Sequence, residues 1–145
     1  FAASRAQLVR QTILPALEAG AIVISDRFLD STTVYQGIAR RIPEKIVALI
    51  NRFAAGSRLP DVTFLLDMDP DAAHKRLSGR PAKKRDRMEE QPPEFYEAVR
   101  RGYLELASAC PDRIRVLDAT RSEEEIASEI HTHLRLHAIF KRIGL

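Results

Sequence analysis

The 145 residues are 45% hydrophobic and 30% charged, an ordinary globular balance with enough apolar mass for a core, which excludes collagen-like, low-complexity and disulfide-framework classes. A single cysteine, Cys110, rules out an intrachain disulfide and fits a reducing compartment, and no apolar run approaches the length of a membrane span. The net charge of +3 does not by itself argue for nucleic acid, but 75–87 (KRLSGRPAKKRDR) gathers seven Lys/Arg against the one acid Asp86, which is either a solvated surface or an anion site.

The chain opens on Phe1 inside a helical pattern, and reads as if it starts within a domain. FAASRAQLVR has neither the basic nor the apolar region of a signal peptide, so a cytoplasmic protein is expected. Val9, Ile13 and Leu17, widened by Leu8 and Ala16, predict a helix over 2–19, kinked at Pro15 and closed by Gly20. The β-branched run AIVIS at 21–25 predicts a short strand buried on both faces, with Asp26 and Arg27 directly after it. Residues 31–55 read as helix, broken near Gly37 and Pro43 and resuming with Ile46, Leu49, Ile50 and Phe53 on one face.

A turn at 56–60 leads to a second buried strand, VTFLLD at 62–67. Asp69 and Pro70 then form an N-cap and first-turn proline for a helix to about Leu77. Gly79 and Pro81 end it, leaving the basic segment as a loop. Pro92-Pro93 restart a helix with Phe95, Val99 and Leu106 on one face, and IRVLD at 114–118 is a third strand. Ser122 with Glu125 is a capping box that opens a last helix through Ile126, Ile130 and Leu134. The end, 138–145, reads as frayed. Strands alternating with helices mean a parallel, doubly wound α/β sheet, here with three strands.

In such sheets ligands sit outside the carboxyl ends of the strands. All three strands end in acid: Asp26, Asp67 with Asp69, and Asp118. Asp69 and Asp118 are expected to cap the helices that follow them. Asp26 has Arg27 beside it, and such a pair can hold a metal-bound water and a phosphate at neighbouring positions. Ser31, Thr32, Thr33, Tyr35 and Gln36 add hydroxyls, an amide and one aromatic wall. The four histidines have no ligand partners at metal-binding spacing. A nucleic-acid binder is disfavoured because no aromatic interleaves with the basic run.

Asp26-Arg27-Phe28, Ser31 and Tyr35-Gln36-Gly37 together resemble the DR[YFH]xxSxxAYQG signature of bacterial thymidylate kinases. The resemblance extends in collinear order through FAASR at the start, RLPDVTFLLDMDPDAAHKR, Arg85-Asp86-Arg87-Met88-Glu89, Tyr103-Leu-Glu-Leu-Ala107 and Asp118-Ala119-Thr120, and covers 1 to about 137. It implies a P-loop nucleoside monophosphate kinase fold, a three-layer parallel sheet with a basic lid at 79–91. It also implies transfer of the γ-phosphoryl of ATP to dTMP with Mg²⁺.

By position, the resemblance gives Phe1 a stack on thymine and Arg5 and Thr32 polar contacts to the base, with Ser31 and Gln36 beside them. Tyr35 lies against the deoxyribose, where it disfavours a 2′-OH. Arg27 holds the acceptor phosphate, and Asp26 orients Arg27 or a metal-bound water. Arg80, Arg85 and Arg87 of the lid touch phosphate, Arg76 meets the ATP side, and Ala119 and Thr120 meet adenine. The 145 residues contain no G-x-x-x-x-G-K-[ST] loop, which in the family belongs to a preceding strand–helix unit. The chain is therefore read as the carboxy-terminal two-thirds of a kinase, inactive alone, and the resemblance also implies a homodimer. Two other readings stand beside it: another P-loop nucleoside or nucleoside monophosphate kinase, and a non-catalytic nucleotide-binding module.

Overall fold

The computed structural model describes residues 1–56, 58–78 and 91–137. The basic-loop arginines Arg80, Arg85 and Arg87, nearly all of the expected lid and the frayed end lie outside them. The described residues form two compact units, one within 1–61 and 91–106, the other within 62–78 and 107–137.

The first unit begins with helix α1 (Ala2–Leu8), which runs on through wide π turns at Val9–Ile13 into α2 (Leu14–Glu18). Pro15 explains the widening: it has no N–H for the carbonyl one turn back, and the ladder shifts register just ahead of it, with the Leu14 N–H reaching Val9 O. The expected kink is thus realised as a π segment. Gly20, at φ 82°, closes the helix with Gly20 N–H on Leu17 O and Ala21 N–H on Ala16 O, the paired bonds of a left-handed C-cap.

The expected strand at 21–25 is not one. It is exposed, with Ile24 at 92%, and no strand pairs with it. A β-branched run becomes a strand only where a neighbour takes its backbone groups, and among the described residues none does.

α3 (Leu29–Thr32) passes directly into a second π segment, Thr33–Ala39, so Gly37 sits inside a turn and the break falls at 40–43. α4 (Glu44–Ala55) comes next and packs on α1 and α3. Its buried face is Val47, Asn51, Ala54 and Ala55, not the expected stripe of Ile46, Leu49, Ile50 and Phe53. That stripe faces outward, with Leu49 and Phe53 each 69% exposed. Ala6, Val9, Leu29, Val34, Val47 and Val99 form the core of this unit. Within it, Asn51 Nδ2 donates to Leu29 O (3.3 Å) and Thr33 Oγ1 (3.0 Å), which ties α4 to the start of α3.

The second unit holds β1 (Thr63–Asp67) and β2 (Ile114–Asp118), paired in parallel from Thr63↔Ile114 to Asp67↔Asp118. Among the described residues the sheet has two strands where three were expected, and β1 is only half-buried; Ile114 and Leu117 of β2 are the buried positions. α5 (Pro70–Ser78) starts where Asp69 caps it, Asp71 N–H donating to Asp69 Oδ1 at 3.0 Å. α6 (Pro93–Ala109) gives residues 93–106 to the first unit and its last turn to the second. α7 (Glu123–Leu136) opens on the capping box: Glu125 N–H donates to Ser122 Oγ, and Ser122 N–H to Glu125 Oε2. No described helix is long and apolar enough to cross a membrane.

Ser122→Ala removes the acceptor of the capping box. The expected loss is about 1 kcal/mol of unfolding free energy, with Ser122→Asp retaining most of it, measured by urea denaturation.

Candidate functional site

The first unit gathers its polar and aromatic residues where α1, α3 and the π segment Thr33–Ala39 meet α6. Arg5 lies one turn after Phe1 on α1, so the two share a helix face. The Arg5 guanidinium donates through Nη1 to Thr32 Oγ1 (2.7 Å) and through Nη2 to Phe28 O (3.2 Å), and rests over the Phe28 ring at 5.5 Å. Partial burial draws its pKa below the usual arginine value, a desolvation effect that leaves it a cation at neutral pH. Thr32 is buried, and because its oxygen accepts from Arg5, its own O–H remains a donor. Phe1 stands apart, 95% exposed at the head of α1.

Arg27 has φ 65°, a left-handed conformation that costs a non-glycine residue free energy. The Ser25 hydroxyl donates to its carbonyl at 3.0 Å, and its guanidinium lies 5.4 Å from the centre of the Tyr35 ring. Asp26 is exposed and makes no ion pair among the described residues. Tyr35 sits in an aromatic frame, with Phe95 at 6.0 Å and Tyr103 edge-on at 6.2 Å. Ser31 Oγ and the Tyr103 hydroxyl share a hydrogen bond of 2.7 Å. The Gln36 carbonyl accepts from Ile42 N–H at 3.1 Å.

Burial is the main reason the Tyr103 phenol is pushed above its ordinary value. The Ser31 hydrogen bond opposes the rise, Tyr35 adds to it, Arg27 opposes it and Asp30 adds to it, in decreasing size. The cluster thus offers a fixed cation, hydroxyl donors and an aromatic wall carrying a second cation. That set suits a flat carbonyl-bearing ring joined to an anionic group.

The second unit places Arg76, Ala119 and Thr120 together. Arg76 Nη1 donates to Ala119 O (3.3 Å), and Ala119 N–H donates to Asp67 O (2.8 Å), carrying the parallel ladder one step beyond the strands. Asp118 accepts from Thr120 Oγ1 (2.6 Å) and Thr120 N–H (2.9 Å), and these bonds, hydroxyl first, hold its carboxyl below the usual range. Asp69 therefore caps the helix after it, as expected, whereas Asp118 holds only the turn at Thr120, and the helix that follows it is capped by Ser122 instead.

The sequence model of thymidylate kinase matches residues 1–130. The chain belongs to the thymidylate kinase family. It is 48% identical over 130 residues to the thymidylate kinase of Symbiobacterium thermophilum, covering 90% of this chain and 59% of that one. It is 43% identical to that of Kosmotoga olearia (90% and 62%) and 42% identical to that of Bifidobacterium longum strain DJO10A (93% and 64%). The chain spans about three-fifths of the length of these curated relatives. Membership implies the P-loop nucleoside monophosphate kinase fold, of which the parallel β1–β2 pair is a part.

Three residues of this cluster were not among the expected site residues: Phe28, Phe95 and Tyr103. The signal for two of them was present. Phe95, Val99 and Tyr103 repeat every four residues on α6, so the helix face that carries Phe95 also carries Tyr103.

The Tyr103 environment makes a pH prediction. A phenol whose folded pKa is raised contributes stability that is complete below the ordinary tyrosine pKa and is lost as pH climbs through the folded value. In an alkaline titration monitored by tyrosinate absorbance, Tyr103 should ionise at a pH above the ordinary tyrosine value. Tyr103→Phe should remove that late step, and Ser31→Ala should move it later still.

Proposed function

We propose that this chain is part of a longer enzyme that transfers the γ-phosphoryl of ATP to dTMP, giving dTDP and ADP in the cytoplasm. The observation that carries the reading is the pairing of Arg5 with Thr32 beside Arg27 on the face of Tyr35. Arg5 and Thr32 read the base. The Arg5 guanidinium is held against a carbonyl-bearing edge such as thymine has, whereas cytosine presents an amino group there and sets a donor against a donor. Phe1, one turn earlier on the same helix face, adds a stacking surface. Ser31 and Gln36 border the sugar, and Tyr35 crowds a 2′-OH.

Arg27 holds the acceptor phosphate. Phosphoryl transfer asks little covalent chemistry of a protein: it needs alignment of the two nucleotides and cations around three charged oxygens. Arginine suits the task because its planar fork grips phosphate through two bonds and stays charged. Arg80, Arg85 and Arg87 supply further cations to the transferring group, and closure of their segment excludes water. Arg76, Ala119 and Thr120 serve the ATP side. Because both N–H groups of Ala119 and Thr120 are engaged within their own unit, they offer adenine side-chain and carbonyl surface.

Mg²⁺ neutralises phosphate charge when bound. Carried with ATP, it would take its oxygen ligands mainly from the phosphates and water. Asp26, exposed beside Arg27, suits an outer contact through water. The 145 residues contain no Walker A loop and are expected not to turn over dTMP by themselves.

The test uses the intact kinase with dTMP, dUMP, dCMP and UMP as competing acceptors. Arg27→Ala should lower kcat/KM by about 10²-fold or more, and Arg27→Lys should also be damaging. Arg5→Ala should erode the preference for dTMP over dCMP. A kinase that prefers dCMP, or an Arg27→Ala enzyme within threefold of wild type, overturns the reading.

The kinase is further proposed to act as a homodimer paired through its helices. The exposed stripe of Ile46, Leu49, Ile50 and Phe53 on α4, with Leu8 and Leu17 exposed on the first helices, supports this. Leu49→Asp with Phe53→Asp should convert the intact kinase from dimer to monomer in sedimentation velocity.

A further inference from the structure

We infer that Tyr103, on α6, is a positioning residue that sets the plane of Tyr35 and fixes Ser31, and so controls discrimination at the sugar. The inference rests on the nucleotide reading given above. Three independent observations within the first unit converge on it.

The first is the hydrogen bond between Ser31 Oγ and the Tyr103 hydroxyl, 2.7 Å long and spanning 72 positions of sequence. It fastens the start of the acceptor segment to α6. The second is the aromatic frame. Tyr103 meets Tyr35 edge-on, at 6.2 Å and 78°, while Phe95 of the same helix meets it at 6.0 Å and 51°. With Arg27 over its ring, Tyr35 has two rings of α6 and a guanidinium around it, so the angle of its ring depends on α6.

The third is Gly102. A Cβ built there would stand 2.8 Å from Ile38 Cδ1, 3.2 Å from its Cγ2 and 3.3 Å from its Cβ. The absence of a side chain at 102 is what lets α6 come close enough to the π segment for the next residue, Tyr103, to reach Ser31. Tyr103 touches no reacting group in this arrangement; it acts through Tyr35 and Ser31. A ring held in one plane can exclude a 2′-OH, whereas a ring free to tilt admits it.

A merely structural tyrosine lowers stability when removed and leaves acceptor choice alone. The discriminating readout is therefore the ratio of kcat/KM for dTMP over UMP, measured in the intact kinase alongside a thermal melt. Tyr103→Leu removes both ring and hydroxyl and should lower that ratio by roughly three- to tenfold, the range expected from losing one edge-on aromatic pair. Tyr103→Phe keeps the ring and should restore part of the ratio.

Ser31→Ala added to Tyr103→Phe should cost no more than the larger single change, because both delete the same hydrogen bond. If Tyr103→Leu does not fold, the Tyr103→Phe and Ser31→Ala cycle decides alone. A wild-type ratio in folded Tyr103→Leu, or strictly additive effects in the cycle, overturns the inference while leaving the kinase reading standing. A wild-type enzyme that does not phosphorylate dTMP overturns the kinase reading instead, and the inference falls with it.

Discussion

The close approach of α6 to the segment Ser31–Ala39 is the constraint on which the first unit depends. Gly102 permits it, since Ile38 occupies the space that any side chain there would need. Once the helix lies that near, Phe95 and Tyr103 frame Tyr35, Tyr103 binds Ser31, and Val99 joins the core. From the other side Asn51 of α4 holds Leu29 and Thr33, and Arg5 of α1 holds Thr32 and the Phe28 carbonyl. The residues from 28 to 35 are thus gripped by three helices. Such support is what a binding site needs when its own backbone is a short α turn leading into π turns.

Where a signal is contained in a few neighbouring residues, it was legible. Asp69 with Pro70, Ser122 with Glu125 and Gly20 each mark a helix end by hydrogen bonds or dihedrals that neighbours alone satisfy, and the structure forms them there. β2 was read to the residue. Two readings failed for one physical reason. The run at 21–25 is β-branched and apolar, but strand formation depends on a partner ladder, which its composition cannot supply. On α4, Ile46, Leu49, Ile50 and Phe53 make a regular apolar stripe, yet the structure buries the neighbouring stripe of Val47, Asn51, Ala54 and Ala55. Periodicity shows that a face is apolar; which face meets the core depends on what packs against it.

The cluster itself was half legible. Arg5, Thr32, Ser31, Tyr35 and Arg27 were each expected near a nucleotide, and the structure brings all five into one neighbourhood with Arg5 bonded to Thr32. The contribution of α6 was obscured because its contact residues sit some 60 or more positions along the chain, and nothing local to 31–35 announces them. In the second unit the strand-end acids look alike as sequence, but the structure separates them. Asp118 is satisfied by Thr120, and the Asp67 carbonyl continues the ladder to Ala119, so that corner is stiffened by its own backbone bonds.

The left-handed backbone at Arg27 has a consequence for how this position can change. Residues outside glycine, asparagine and aspartate resist φ 65°, and holding such a conformation costs about 1–3 kcal/mol. Glycine or asparagine at 27 would relieve that cost and remove the guanidinium from the face of Tyr35. Selection for thermal tolerance alone would therefore drift away from arginine here, while selection for handling an anionic ligand would hold it. Position 27 is a point where durability and side-chain chemistry oppose each other, and a library screened only for survival on heating would enrich chains that fold better and have lost the guanidinium beside Tyr35.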